Sequence, residues 1–568
     1  MVFLLLYLEL MYKILLAGII SLAFLLRVVS ISSYPIGLNP DEASFGYDAY
    51  SLLKTGKDQW GQSWPLTLRS FGDFKLSLYA YLTIPSVAVF GLNEFGVRLP
   101  NSIFGTLAVL ATYLFTRKLF KDPKISIVAS FLLAVSPWHI PLSRGAFEAN
   151  LTTFFLPLGV WAFLKGKDKQ RWMIVSALLF GLNLFSYHSA RLVTPLLVLV
   201  LVLWKSKELS GSDTLIHAGL SRHRWAIIAF LIFLFVAGYT MLTGAGSRGA
   251  DIAIFNPTDR WTAVADRRYE ALLQGFPDSL ARVFSNKIVY TFEQFVGRYL
   301  TYLSPKFLFM EGPAEWTYGM IPGRGVLYLI ELPFLLTAVW MAMRGRVPAL
   351  GILFLWILLA PIPAALAKGS GFAANRAAIM MPALEILSAY GAIVLYDLLV
   401  NKWRDQWVKR FLRYGFVVLL LTSLAFFLED YKYHAPIRAA EAMHYGKREA
   451  VEFVKSVEEN YTEIVFSRSL SEPHIYVAFY NKWAPLDYQG ETPDWLRYER
   501  ERRSFLDQLG EYRLGKYVFR SIDYTKDKTA EGILLVGKPN EFPEGVHAVK
   551  KVLEPDGKLA ILVVDPQK

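Results

Sequence analysis

Apolar runs recur along this chain at a length that fits a lipid bilayer. They lie near 12–31, 98–119, 123–140, 149–165, 171–187, 190–205, 223–243, 326–343, 347–366, 376–398 and 411–428. A run of roughly 17 to 23 residues carries a helix across the hydrocarbon core. There every backbone N–H and C=O must bond within its own segment, so such runs fold as helices. Composition agrees. Hydrophobic residues make up 54% of the chain and charged residues 19%, which suits a largely embedded protein with a smaller soluble part. The chain has no cysteine, which excludes disulfides, thiol catalysis and Cys-ligated metals. A net charge of +12 would suit nucleic acid, but the basic residues fall at the ends of the apolar runs, where topology and anionic lipid require them. No nucleic-acid partner is expected.

Charge also orients the spans. The loops "TRKLFKDPK", "KGKDKQR", "KSKELSGSDTLIHAGLSRHR", "RGR" and "NKWRDQWVKRFLR" are basic and separate consecutive pairs of runs, which assigns them to the cytoplasm. The turns around Arg144, Arg191 and Lys368, and the long loop 244–325, then face outward. The first run, "ILLAGIISLAFLLRVVSI", has no small-residue cleavage site after it, so a retained span is expected, with Arg27 snorkelling at its outer end. Parity then requires the stretch 76–91 to lie along the interface as a juxtamembrane helix. The alternative is a full crossing there with an outside N-terminus. The expected fold is an α-helical polytopic membrane protein of about 11 spans with a cytoplasmic N-terminus. Residues 1–429 form the membrane domain, with a first outer loop at 32–97 and a large one at 244–325. Residues 430–568 form a small extracytoplasmic α/β domain. In it "EIVFS", "KYVFRS", "GILLVG" and "LAILVVD" read as strands and 437–457 as an amphipathic helix.

The ionisable residues of the outer turns are the candidates for chemistry. The first loop offers Asp41, Glu42, Asp48, Asp73 and Lys75. The other turns offer Glu94 with Arg98, Arg144 with Glu148, His188 with Arg191, and Lys368 with Arg376. Bland roles exist for each. Asn39, Pro40 and Asp41 suit a helix start, Arg98 and Arg144 suit pairing with Glu94 and Glu148, and His188 suits an interface histidine. Taken together, carboxylates among several cations suit removal of a proton from an acceptor hydroxyl while a phosphate leaves. With a lipid-borne phosphate, that reaction is glycosyl transfer from a polyprenyl-phosphate sugar.

Five stretches resemble one family, the integral-membrane glycosyltransferases of the C fold (GT-C), and within it the protein O-mannosyltransferase and aminoarabinose-transferase superfamily, glycosyltransferase family 39. They are "NPDEA", "GDFKLSLYAYL", "FGVRLPNSIFGTLAVLATYLFTRKLF", "SPWHIPLSRGAFEANL" and "PGRGVLYLIELPFLL". The resemblance implies Asp41 as the base that activates the acceptor, with Glu42 as its partner, raising its proton affinity through like charge. It implies Lys75 on the donor phosphate, with Arg144, Arg191 and Arg376 as further phosphate contacts. Asp73, Glu148, His188 and Arg98 are additional candidates. The two prolines that follow the family's lysine are replaced here by Leu76 and Ser77, so the phosphate grip can differ. Mechanism is expected to be inverting, without cofactor. Lone acids and one histidine are not a metal-ligand set, so a divalent metal is not favoured. The expected partners are a polyprenyl-phosphate sugar, membrane lipid and an acceptor that is a protein hydroxyl, a lipid or an envelope glycan. The expected location is the plasma (inner) membrane. The competing readings are a polytopic transporter or lipid flippase, and a membrane-anchored sensor or scaffold. Charges at the outer ends of spans, rather than at mid-bilayer, favour the enzyme.

Overall fold

The computed structural model describes residues 2–166, 169–210, 223–245, 254, 257–345, 347–367, 373–402 and 405–568. Lys368, and parts of the loops 206–222 and 244–256, lie outside them. A helix occupies each of the eleven apolar runs. Among the described residues, six helices are long and apolar enough to cross a membrane: Tyr7–Val28, Glu94–Phe120, Arg224–Thr243, Pro348–Ala365, Ala383–Asn401 and Tyr414–Ala439. Others are shorter than the sequence suggests. The run 123–140 stops at Val135, because Ser136 precedes Pro137 and is disfavoured in the helical region. Thr152–Lys165 and Gln170–Asn183 hold 14 residues each, about 21 Å of helix.

Helix α1 (Val2–Val28) leads into the first loop. There α2 (Pro40–Thr55) opens with a capping box. The Asn39 side chain accepts from the Asp41 amide, and the Glu42 side chain accepts from the Asn39 amide. Next comes a hairpin of β1 (Thr67–Arg69) and β2 (Phe74–Leu76), in which Lys75 faces Leu68. Helix α3 (Leu78–Phe90) follows. Its 13 residues span about 20 Å. It buries the stripe Tyr79, Ala80, Thr83 and Val87. Gly91 ends it, and Asn93 caps α4 (Glu94–Phe120) by accepting from Gly96. Helix α5 (Pro123–Val135) returns beside α1 and α4.

The C-terminal segment builds a six-stranded sheet in the order β4-β5-β3-β6-β8-β7. The strands are β3 (Glu463–Ser467), β4 (Glu511–Leu514), β5 (Tyr517–Arg520), β6 (Ile533–Gly537), β7 (Lys550–Leu553) and β8 (Leu559–Val564). Central β3 runs parallel to β5 and β6; the other pairings are antiparallel. Alternate residues supply two cores. Ile464, Phe466, Phe519 and Val536 point to one face, Val465, Val518 and Leu535 to the other.

The first of those faces is not private to the C-terminal segment. Its core continues into Leu38, Phe45, Tyr47, Tyr79 and Val97 of the first loop, while the membrane helices share a separate core. The Leu506 amide donates to the Phe71 carbonyl at 2.8 Å, and the Tyr476 hydroxyl donates to the Leu38 carbonyl at 2.8 Å. A Cβ on Gly72 would stand 2.1 Å from the Ser504 carbonyl oxygen, so this approach admits glycine alone. The boundary expected at 429/430 therefore divides the sequence but not the packing. The first loop and residues 440–568 form one body on one end of the bundle.

Candidate active site

Asp41 and Lys75 meet at the seam between these layers. Their Oδ1 and Nζ atoms are 3.2 Å apart; Lys75 is 2% exposed and Asp41 26%. Two rings hold the lysine, with Nζ 4.7 Å from the Phe45 centroid and 5.2 Å from that of Phe71. Asp41 starts a helix, where the backbone dipole favours a carboxylate. It is thus a partly accessible acid with its cation fixed behind it. Asp73 lies in the hairpin turn, whose Ser70 amide donates to the Asp73 carbonyl at 2.8 Å, two residues before Lys75.

Glu42 has a different surrounding from the one expected. It is fully buried. Its Oε1 accepts from Arg98 Nε at 2.9 Å and the Ala146 amide at 2.8 Å; its Oε2 accepts from Arg98 Nη2 at 3.0 Å and the Asn39 amide at 3.1 Å. Four donors on two oxygens leave no room for a reacting group. Arg98 matches the charge, which offsets the repulsion that was to act on Asp41. Arg98, also fully buried, does not take Glu94 as its partner. It donates to Glu42 in fork geometry and to the carbonyls of Ile31, Pro35 and Gly37. Glu94 instead accepts from Tyr480 at 3.1 Å and lies 3.5 Å from Arg448. Glu42 and Arg98 together lock the loop's entry to the bundle.

Arg144 is likewise turned inward. It donates to the carbonyls of Leu26, Val29 and Tyr34 at 2.6, 2.8 and 3.2 Å, and so caps α1. Glu148 opens the turn Glu148–Leu151 within electrostatic reach of Tyr79. Arg27 does not snorkel. It is fully buried, donating to the carbonyls of Ala23, Leu133 and Ala134, with Nη2 2.7 Å from His139 Nδ1.

A second group of candidates gathers around Tyr187. Asn375 Nδ2 donates to the Tyr187 hydroxyl at 3.3 Å, which brings the turn holding Arg376 beside the turn holding His188. Arg191 donates to the Leu184 carbonyl and to Thr240, while its Nη1 has no partner among the described residues.

Some neighbours were not visible as candidates. Asp58, from "GKDQWG", stands close to Asp48, which accepts from the Gln59 amide and side chain, each at 3.1 Å. Burial and then the Asp58 charge push the Asp48 carboxyl far above its ordinary range, against the pull of Lys75. Burial likewise raises Asp58. A carboxyl whose proton affinity is higher in the folded state favours folding while protonated. Stability contributed here is lost as pH rises from the ordinary carboxylate range through about 8. Asp48→Asn is expected to flatten the fall in Tm between about pH 5 and pH 8; an unchanged slope would show that the acid pair does not titrate in that window. From the C-terminal segment, the turn Ser471–Glu472 has φ of 54° and 44° and brings Glu472 within electrostatic reach of Asp41. Lys447 Nζ donates to the Ser471 carbonyl at 2.7 Å. No sequence motif signals this approach; it follows from the shared core.

Residues 77–238 match the family described as dolichyl-phosphate-mannose-protein mannosyltransferase. Curated relatives include undecaprenyl phosphate-alpha-4-amino-4-deoxy-L-arabinose arabinosyl transferase 1 of Pseudomonas fluorescens, 34% identical over 126 residues, 22% of each chain. The corresponding transferase of Pseudomonas aeruginosa is 32% identical over 118 residues, 21% of each. The chain thus matches about a fifth of the length of these relatives. The crystal structure of ArnT from Cupriavidus metallidurans bound to undecaprenyl phosphate aligns over 97% of this chain and 99% of that one, with a TM-score of 0.52 and 13% identity. That likeness is one of fold, and the fold is GT-C.

Proposed function

We propose that this chain, a multi-pass membrane protein with the GT-C fold, is a glycosyltransferase. It moves a sugar from a polyprenyl-phosphate donor to an acceptor hydroxyl at the outer face of the membrane. The observation that carries this reading is the Asp41–Lys75 pair, a reachable carboxylate backed by a ring-held ammonium. Family and relatives agree with it, since their descriptions name a polyprenyl-type phosphate donor.

In this mechanism the donor phosphate draws Lys75 from Asp41, and the ammonium neutralises the charge that develops on the departing phosphate. Asp41, released from its pair, accepts the proton of the acceptor hydroxyl. The acceptor oxygen bonds to the anomeric carbon as the bond to the phosphate oxygen breaks on the opposite side. The products are an inverted glycoside and polyprenyl phosphate. Arg376 and Arg191 on the neighbouring turns suit the remaining phosphate charge, and no metal enters the scheme. Glu42 and Arg98 position the helix that presents Asp41.

The test uses the purified full chain in liposomes with labelled mannosyl and aminoarabinosyl polyprenyl phosphates and cell-envelope acceptors. Release of polyprenyl phosphate together with label in the acceptor is expected. Lys75→Met should raise the donor KM by about tenfold or more. Movement of donor or solute across the bilayer with the sugar bond intact would replace this reading with a flippase or transporter.

A further inference from the structure

The C-terminal sheet changes its direction of winding at one seam. Strands β5, β3 and β6 are neighbours and parallel. The chain leaves β3 for β4 and β5 on one side, then crosses to β6 on the other. In such sheets ligands bind outside the carboxyl ends of the strands, at the seam where the winding turns. A cavity of about 560 Å³ opens there. Its walls are the loop after β3 (469–471), the loop after β6 (538–540), the turn 441–447 and residues of β8. Glu541 staples the two strand-end loops, accepting from the Ser469 hydroxyl at 2.6 Å and the Lys538 amide at 2.8 Å. The turn is fixed as well. His444 has φ of 56°, and Gly446, at 86°, passes so near β7 that a Cβ would stand 2.8 Å from Val552 Cγ1.

Three basic side chains line this space, His444, Lys447 and Lys538. Lys447 is only 6% exposed. Its Nζ donates to the Ser471 carbonyl at 2.7 Å and stands 4.1 Å from the Tyr476 ring centroid. One carbonyl and one ring face leave an ammonium donor for the cavity. Lys538 is 43% exposed and lies 3.9 Å from Glu441, which is 84% exposed at the rim. The basic groups oppose one another. Burial, then Lys447 and Lys538, push the His444 imidazole down to about 3. Burial lowers the proton affinity of Lys447, Glu472 and Asp507 counter it, and Lys538 adds to the lowering. An anion between the two ammonium groups relieves this repulsion. The remaining wall suits hydroxyl groups, with Glu441 and Glu554 as acceptors and Asn540 as both donor and acceptor. A ligand with an anion and many hydroxyls is an acidic saccharide. Ser471 ties the cavity to the candidate active site, since its carbonyl holds Lys447 and the next residue, Glu472, is within electrostatic reach of Asp41.

We propose that this cavity binds a saccharide bearing a carboxylate or phosphate, with Lys447 and Lys538 on the anion, and so holds the acceptor for transfer at Asp41. The acceptor role rests on the reaction proposed above; the binding site does not.

The test uses the full chain in detergent, with glucuronate, glucose 6-phosphate, glucose and inorganic phosphate as probes in saturation-transfer NMR titrations. At least one acidic sugar should bind about tenfold or more tighter than both glucose and inorganic phosphate. Which one binds distinguishes carboxylate from phosphate. Lys538→Gln and Lys447→Met should each weaken that binding about tenfold. Should buried Lys447→Met fail to fold, the half-exposed Lys538→Gln decides alone. Acidic sugars that bind no tighter than glucose or inorganic phosphate would overturn the site, and so would unchanged affinity in Lys538→Gln. The acceptor role is read separately: Lys538→Gln should raise the acceptor KM about tenfold and leave the donor KM unchanged. An unchanged acceptor KM would overturn that role. If the wild type transfers no sugar, the reaction proposed above fails, while the titrations still decide the site.

Discussion

Asp41→Asn should lower kcat for sugar transfer by about 10²- to 10⁴-fold, the usual contribution of a positioned base. Several features make this a clean test. Asparagine is isosteric and cannot take the proton. The Asp41 backbone amide, which donates to Asn39, is unchanged, so the start of α2 survives. The lost ion pair is partly exposed on the Asp41 side, and such pairs contribute about 1 kcal/mol or less. Lys75 keeps its two aromatic faces. Folding should therefore be nearly intact. A base and a phosphate ligand also differ in which constant they move. Asp41→Asn should depress kcat with donor KM little changed, whereas Lys75→Met should act mainly on KM. If Asp41→Asn transfers sugar at the wild-type rate, the base lies elsewhere, and Glu472 becomes the next carboxylate to substitute.

What could be read from the sequence followed the strength of local signals. Long apolar runs placed the helices, since the bilayer leaves few other solutions. "NPDEA" announced a capped helix, and the structure has Asn39 as cap, Pro40 as first residue and Glu42 closing the box. The strands at 463–467, 517–520, 533–537 and 559–564 were legible because they pack on both faces or carry long apolar stretches. Edge strands β4 and β7, "EYRL" and "KKVL", carry charges on their open side and leave no such trace.

Charged residues were harder, because a side chain's position along the chain does not say which way it points. Proximity suggested Arg98 with Glu94 and Arg144 with Glu148. The fold pairs Arg98 with Glu42, 56 residues away, and turns Arg144 onto carbonyls more than a hundred residues distant. Long-range partners of this kind depend on helix packing. The same holds for the docking of residues 440–568 on the first loop, where Phe71, Gly72 and Leu38 carry no sign of their contacts.

Arg98→Ala should be the most destabilising single change at the join between the first loop and the helix bundle. It removes the counter-charge of a fully buried carboxylate and leaves Glu42 with only two backbone donors. It also strands the carbonyls of Ile31, Pro35 and Gly37. Breaking a buried pair from one side costs about 3–5 kcal/mol, a large fraction of a typical folding free energy. Arg98→Lys should recover little, since an ammonium cannot span both Glu42 oxygens and three carbonyls at once. The double variant Glu42→Gln with Arg98→Met should be less damaging than Arg98→Ala, because no uncompensated charge remains. Denaturant unfolding in mixed micelles, followed by tryptophan fluorescence, ranks these variants. If Arg98→Ala unfolds within about 1 kcal/mol of wild type, Glu42 takes up a proton or reaches water without cost, and the pair does not anchor the helix that presents Asp41.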